Sequence, residues 1–250
     1  MKKWKIRDEQ KGVIFIVLIF VIIITLAVVF SLTLRSNVVE EHLKSNEAVR
    51  TLFVVENETQ GVLFSSVLIY VPSSYKAAIV NLPGYTGAIY QSLGRVDKLS
   101  KVYEEAGIEA YKTEIEKLMG MKISFYAIMA LEDFTKISDY LGGMRVFISE
   151  PVDCVSEKGE RWLLPSGAIN LDGDKISTYL RYRLEDETEM DVQERYQNAM
   201  AALLTGLHDQ KFAIFDKNNF RRYGDIIKTN LDADEEETLF KSISDVDSES

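Results

Sequence analysis

From Val13 to Phe30 the chain runs eighteen residues without a charged side chain, VIFIVLIFVIIITLAVVF, and Ser31 to Leu34 extends the uncharged stretch. At about 1.5 Å rise per residue, a helix over residues 13–34 reaches roughly 33 Å, against a hydrocarbon core about 30 Å thick. Leu, Ile, Val and Phe each favour the bilayer centre by about 0.3–0.6 kcal/mol, so this segment is expected to insert as a single span without partner helices. Lys2, Lys3, Lys5, Arg7 and Lys11 precede it, whereas Arg35 is followed by Glu40 and Glu41. That asymmetry holds the amino terminus in the cytoplasm and sends the rest across the membrane. A cleaved leader would have a shorter apolar core and a small-x-small site, which Ser31-Leu32-Thr33-Leu34 does not supply. The expected organisation is a cytoplasmic basic segment (1–11), a transmembrane signal anchor (12–34), a polar stalk (35–48), one extracytoplasmic domain (49–243) and an acidic tail (244–250).

The remaining length suits one domain with a full core. A net charge of −10 argues against a nucleic-acid partner. Residues 232–250 carry eight acidic side chains against one Lys, which reads as a solvated end. Cys154 is the only cysteine and His42 and His208 the only histidines, so neither an intrachain disulfide nor a zinc site of the usual ligands is expected. A metal would have to sit on carboxylates, as magnesium does.

Thr51–Val55, Val62–Val71 and Ala77–Leu82 are rich in β-branched and aromatic residues and are expected to be strands, with Pro72-Ser73-Ser74 turning between the last two. Ile108, Tyr111, Ile115 and Leu118 recur at helical spacing, predicting a helix from Gly107 to Leu118 closed by Gly120. A strand is expected at Phe125–Ala130, a helix at Glu132–Leu141 ended by Gly142-Gly143, a strand at Arg145–Ile148 and another ending near Leu163 before Pro165-Ser166-Gly167. Asp172 is placed to cap a helix over 173–182, and 189–206 reads as a long helix. Alternating strands and helices favour an α/β fold in which a mixed sheet packs between helices.

Three stretches resemble the LytR-CpsA-Psr family of membrane-anchored bacterial envelope proteins. Asn170-Leu171-Asp172-Gly173, continuing through Tyr179-Leu180-Arg181-Tyr182-Arg183, is similar to the family's Leu-Asp-Gly and Tyr-Val-Arg-x-Arg signature. Phe125 to Phe134, leading to Leu141-Gly142-Gly143 and Val146, is similar to its Tyr-rich strand, helix and Gly-Gly-Val turn. Lys228-Thr229-Asn230-Leu231 is like its terminal Thr-Asn-Leu element. Order and spacing agree from about residue 50 to 243. The resemblance implies transfer of a glycan polymer from a polyprenyl diphosphate to the cell wall, with arginines and a carboxylate-held magnesium neutralising the diphosphate. It assigns Arg181, Arg183, Arg195 and Gln197 to the diphosphate.

The acidic half of that apparatus is degenerate. Ser66 stands where the family has its metal-binding Asp, Gly84 and Tyr85 replace an Arg-Asp pair, Ser100 replaces an Asn, and Val192 replaces a further arginine. A serine hydroxyl does not supply the charge that holds a hard cation, and each lost charge-stabilising group costs on the order of a hundredfold in turnover. Without the resemblance, the arginines read as ion-pair partners for the loop Glu185–Asp191, which has five carboxylates in seven residues. Asn57-Glu58-Thr59 fits a glycosylation sequon, and Ser65, Ser66 and His208 lack the Gly-x-Ser-x-Gly context of a hydrolase. The expected function is therefore a membrane-anchored envelope protein that binds a polyprenyl-phosphate or diphosphate-linked glycan without the metal chemistry. The alternatives are a divergent phosphotransferase, the one case that brings in magnesium, and a structural partner within an envelope assembly whose pocket has closed around Tyr85.

Overall fold

The computed structural model describes residues 20–25, 37–45, 47–156, 159–214 and 226–246. Of the apolar run only 20–25 lies among them, as helix, so the expected cytoplasmic segment and most of the anchor lie outside the described residues. No helix among the described residues is long and apolar enough to cross a membrane.

Strand β1 (Val49–Glu56) occupies the middle of a five-stranded sheet. It pairs antiparallel with β2 (Val62–Val71) and parallel with β6 (Phe125–Ala130). The short strand β11 (Lys228–Thr229) closes one edge against β6, and β3 (Lys76–Asn81) closes the other against β2. Side chains alternate between faces along a strand, and here both faces are apolar. Phe53 and Val55 of β1, with Phe64, Leu68 and Tyr70 of β2, join one core. Leu52, Val54 and Val67 join the other.

Helix α2 (Leu99–Met119) covers the second face, placing Val102, Tyr111 and Ile115 in its core. It starts eight residues earlier than the sequence periodicity suggests, because Gly107, with φ +76° and ψ −177°, breaks the helical path and splits the pattern in two. Gly120 ends it in the left-handed conformation as expected. Ahead of it lies a hairpin, β4 (Gly87–Tyr90) with β5 (Arg95–Lys98), which the sequence did not signal: its opposed Ile89 and Val96 are exposed, so no alternation into a core marks it.

The first face is covered by α3 (Leu131–Tyr140), α4 (Gly173–Arg181) and α5 (Glu189–Asp209). Between α3 and α4 run β7 (Met144–Ile148), paired with β10 (Gly167–Leu171), and the hairpin of β8 (Val152–Val155) with β9 (Arg161–Leu164). Asp172 caps α4 through the Lys175 amide, as its position predicts, and Thr188 with Asp191 forms a reciprocal capping box for α5. A short helix, α6 (Lys211–Ile214), follows.

The expected stalk and the reading of 232–250 as a solvated end need correction, whereas the last helix closes at Ile243, where the expected domain ends. Residues 38–44, assigned to a stalk over 35–48, form helix α1 (Val38–Lys44), whose Val39 is fully buried. The carboxyl-terminal acidic run is not a solvated tail but the start of α7 (Ala233–Ile243), with Leu239, Phe240 and Ile243 in the core. Asp234, Glu235 and Glu236 occupy its first turn, where negative charge complements the helix dipole. The two helices are fastened together: the Val38 backbone amide donates to Glu235 Oε1 at 3.0 Å and Asn37 Nδ2 donates to Thr238 Oγ1 at 3.4 Å. The folded unit thus reaches from Asn37 to Val246, which packs against the core; residues 247–250 lie outside the described residues.

One buried carboxylate holds the end of α2 to the next strand. Glu116 accepts from the Ile123 amide at 2.8 Å, Lys122 at 3.0 Å and Lys112 at 3.2 Å. Burial alone would raise its pKa, but these donors together hold it below the ordinary glutamate value. A folded-state pKa below the unfolded one gives stability that is complete above the unfolded value and lost as pH falls through the folded one. The urea midpoint is therefore expected to fall as pH drops from above the ordinary glutamate value through the lowered folded-state one, and Glu116→Gln to flatten that fall while lowering the midpoint near neutrality.

Candidate functional site

The residues assigned to the diphosphate come from the end of α4, the segment after it and the second turn of α5. Arg195 is buried, its guanidinium 3.6 Å from the Tyr182 ring centroid and its Nη1 donating to the Tyr182 carbonyl at 2.7 Å. It is ion-paired with Glu187, itself buried. Burial pushes the Arg195 pKa down, yet a guanidinium stays protonated in proteins, so the pair is a desolvated salt bridge that ties the acidic loop to α5. Arg183 is exposed and donates to the Tyr182 carbonyl at 3.3 Å and to the Tyr196 hydroxyl at 3.2 Å. Arg181 pairs with Glu58 of the β1–β2 turn.

Arg183 and Arg195 therefore converge on one carbonyl, while Arg181 meets a partner 123 positions distant in sequence. Gln197 does not join them. It is exposed, and residues two apart on a helix point to different sides. The expected ion pairing with the Glu185–Asp191 loop is seen for Arg195, through Glu187.

The expected degenerate positions Ser66 and Val192 meet the same amino-terminal turns of α5 that carry Arg195. Ser66 is fully buried on the α5 face of β2, between Phe64 and Leu68. Its hydroxyl donates to Asn81 Oδ1 at 2.6 Å, and Asn81 Nδ2 donates to the Gln193 carbonyl at 2.6 Å. This neutral bridge ties β2 through edge strand β3 to α5. Val192, one residue before Gln193, is buried in the core. Gly84 accepts from the Ser100 amide at 2.9 Å, which fixes the start of α2. Tyr85 does not fill a former site: it is 45% exposed.

Other sequence candidates disperse. Asn57 organises its own turn, its Oδ1 accepting from Thr59 and from the Gly61 amide. Ser65 faces α2 and bonds the Tyr111 hydroxyl at 2.7 Å, whereas the His208 ring meets the Ser244 carbonyl at 2.8 Å. The sequence offered no signal for Glu58 or Asn81 as partners, since each acts through a contact more than a hundred positions distant in the chain.

Magnesium does not fit this arrangement. Ser66 and Asn81 satisfy each other, Glu187 is taken by Arg195, and Asp191 is taken by Thr188. Among the described residues no group of three carboxylate, histidine or cysteine side chains is placed to hold a metal ion. The layer between β2 and α5 is also filled: Phe64 stacks on Tyr196 with centroids 4.8 Å apart and meets Phe134 edge-on at 6.0 Å.

The model of the LytR_cpsA_psr family matches residues 73–250. A relative from Bacillus mycoides (strain KBAB4), named polyisoprenyl-teichoic acid–peptidoglycan teichoic acid transferase TagU, is 26% identical over 172 residues, or 66% of this chain and 53% of its own. TagU of Bacillus cereus (strain AH820) is 26% identical over 182 residues, 70% of this chain and 56% of its own. The chain thus spans about half the length of the curated relatives it matches. The crystal structure of B. subtilis TagV superimposes with a TM-score of 0.67 at 16% identity over 82% of each chain. A structure of TagT bound to LI-WTA gives 0.64 at 16% identity, covering 80% of this chain and 76% of that one. At such identities the likeness is one of fold.

Two substitutions separate structural from ligand-facing roles. Arg195→Ala leaves Glu187 buried and unpaired and is expected to cost about 3–5 kcal/mol in denaturant unfolding, whereas Arg183→Ala costs less than about 1 kcal/mol. Ser66→Asp places an unpaired carboxylate in the core and is expected to cost about 3 kcal/mol or more, with no recovery of the midpoint in millimolar magnesium. Recovery would show that a cation site persists there.

Proposed function

The chain belongs to the LytR_cpsA_psr family, and from that premise we propose that it is an envelope protein, anchored by residues 12–34 with its domain outside the cytoplasmic membrane, that binds a polyprenyl-phosphate or diphosphate-linked glycan without transferring it. The observation that carries the second half is the Ser66–Asn81–Gln193 bridge. Phosphoryl transfer needs charge neutralised as it develops on the leaving diphosphate. At this point the chain has a hydroxyl and an amide that are already hydrogen-bonded to each other, next to the exposed Tyr85 and the side-chain-free Gly84. A ligand phosphate would meet Arg183 first, and would have to displace Glu58 to gain Arg181.

The packed Phe64–Tyr196–Phe134 layer favours a second reading, in which no lipid is held on this face and the domain serves as a structural partner in an envelope assembly. Mass spectrometry of lipid co-purified with the full-length protein separates the two. Polyprenyl phosphate or diphosphate species are expected in the wild type and depleted in Arg183→Ala; their absence would favour the assembly role.

Transfer is tested directly by incubating the detergent-solubilised chain with a polyprenyl-diphosphate-linked glycan, a peptidoglycan acceptor and magnesium. No product above background is expected, and robust product would remove the reading of lost chemistry. For topology, alkaline phosphatase fused after Ser250 is expected to be active in intact cells and a fluorescent protein at the same point dark. The reverse pattern would end the extracytoplasmic placement.

A further inference from the structure

A cleft of about 580 Å³ lies between the β1–β2 turn and the break in α2, lined by Glu56, Gly61, Tyr103, Glu104, Gly107 and Ile108. Its size falls within the range of small-ligand sites, and neither the arginines nor the Ser66 bridge is part of it. Its openness has a local cause. Gly107 interrupts the helix at positive φ, where a Cβ would meet nothing within 4 Å. A register shift between Val55 and Glu56 takes the end of β1 out of regular pairing.

Glu56 is the anchor of this cleft. Its side chain is nine-tenths buried, accepts from the Tyr103 hydroxyl at 2.7 Å and lies 3.5 Å from Lys228 Nζ. Glu104 on the other wall pairs with Lys101. Each carboxylate thus has a lysine beside it, so Coulomb attraction selects neither a phosphate nor an ammonium group. What remains is acceptor capacity, since a carboxylate offers about four lone-pair sites and Glu56 engages two donors here. Ile108 and the Tyr103 ring add apolar surface beside these acceptors. We propose that this cleft binds an uncharged, hydroxyl-rich saccharide unit, whose hydroxyls donate to Glu56 and Glu104. The proposal deepens the glycan-binding reading by naming where a neutral sugar residue is held, away from any phosphate.

The test uses the full-length protein in detergent and N,N′-diacetylchitobiose as probe, titrated by calorimetry beside its de-N-acetylated diamine and a 6-phosphorylated form. Saturable binding of the neutral disaccharide is expected, with both charged forms weaker. Glu56→Ala and Glu104→Ala are each expected to weaken it by about fivefold or more, the loss of one hydrogen bond of about 1 kcal/mol. Glu104 is a partly exposed helix residue, so its variant should keep the wild-type thermal midpoint and leaves the test open even if Glu56→Ala fails to fold. Absence of saturable binding, unchanged affinity in Glu104→Ala, or a charged form that binds more tightly would overturn the proposal. No lipid enters this measurement. Lost sugar binding with polyprenyl lipid still co-purifying removes the cleft alone, and sugar binding without lipid removes the lipid reading alone.

Discussion

Burial of β1 and β2 on both faces is the constraint from which the rest of the domain follows. Phe53, Val55, Phe64 and Leu68 require α3, α4 and α5 on one side, and Leu52, Val54 and Val67 require α2 on the other. A position inside such a sheet tolerates a polar group only when its hydrogen bonds are complete and a charge only when it is paired. Ser66 meets the first condition through Asn81, and Ser65 meets it through Tyr111. A carboxylate at either place would need a cation or an arginine that this packing does not supply.

The same economy explains the arginines. Arg195 lies nearly out of contact with water, so its charge is answered by Glu187, by the Tyr182 carbonyl and by the Tyr182 ring. These contacts fix the path of the acidic loop between α4 and α5, which makes Arg195 part of the scaffold. Arg183, with longer hydrogen bonds and more solvent, remains the group with most freedom to meet an anion. Arg181 is restrained by Glu58, and through Glu58 the turn that borders the Glu56 cleft is tied to α4. The two candidate ligand regions are therefore mechanically adjacent while differing in charge.

At the opposite end of β1, helices α1 and α7 close the fold. Parallel pairing brings Phe125 beside Thr51, and His42 of α1 packs edge-on against Phe125 with centroids 5.5 Å apart. Tyr70 of β2 meets Ser242 of α7 at 3.3 Å. The folded unit thus begins at Asn37, three positions after the uncharged stretch ends at Leu34 in the sequence. Seven intervals along β1, at about 3.3 Å each, put the Glu56 end roughly 23 Å from that entry.

Strongly patterned segments were legible without coordinates: the β1, β2 and β6 runs, the Asp172 cap, the Gly120 stop and the α5 periodicity each carry a local physical cause. So were the family and the mixed α/β class, because the Leu171–Arg183 and Phe125–Val146 stretches carry both the resemblance and the element pattern. Segments whose signal is weak alone were not legible. Helix α1 has only Val39 and Leu43 to announce it, the β4–β5 hairpin exposes its apolar pair, and α7 begins with acids that look like a tail until Leu239 and Phe240 reach the core. The sequence by itself determined the residue types, Ser66, Gly84 and Tyr85 among them, at the positions that the resemblance assigns to the site. Only the tertiary structure decided how those side chains are held, because Ser66–Asn81–Gln193 and Arg181–Glu58 are contacts that exist only once elements distant in the chain are packed together, and the local pattern at one partner carries no information about the other.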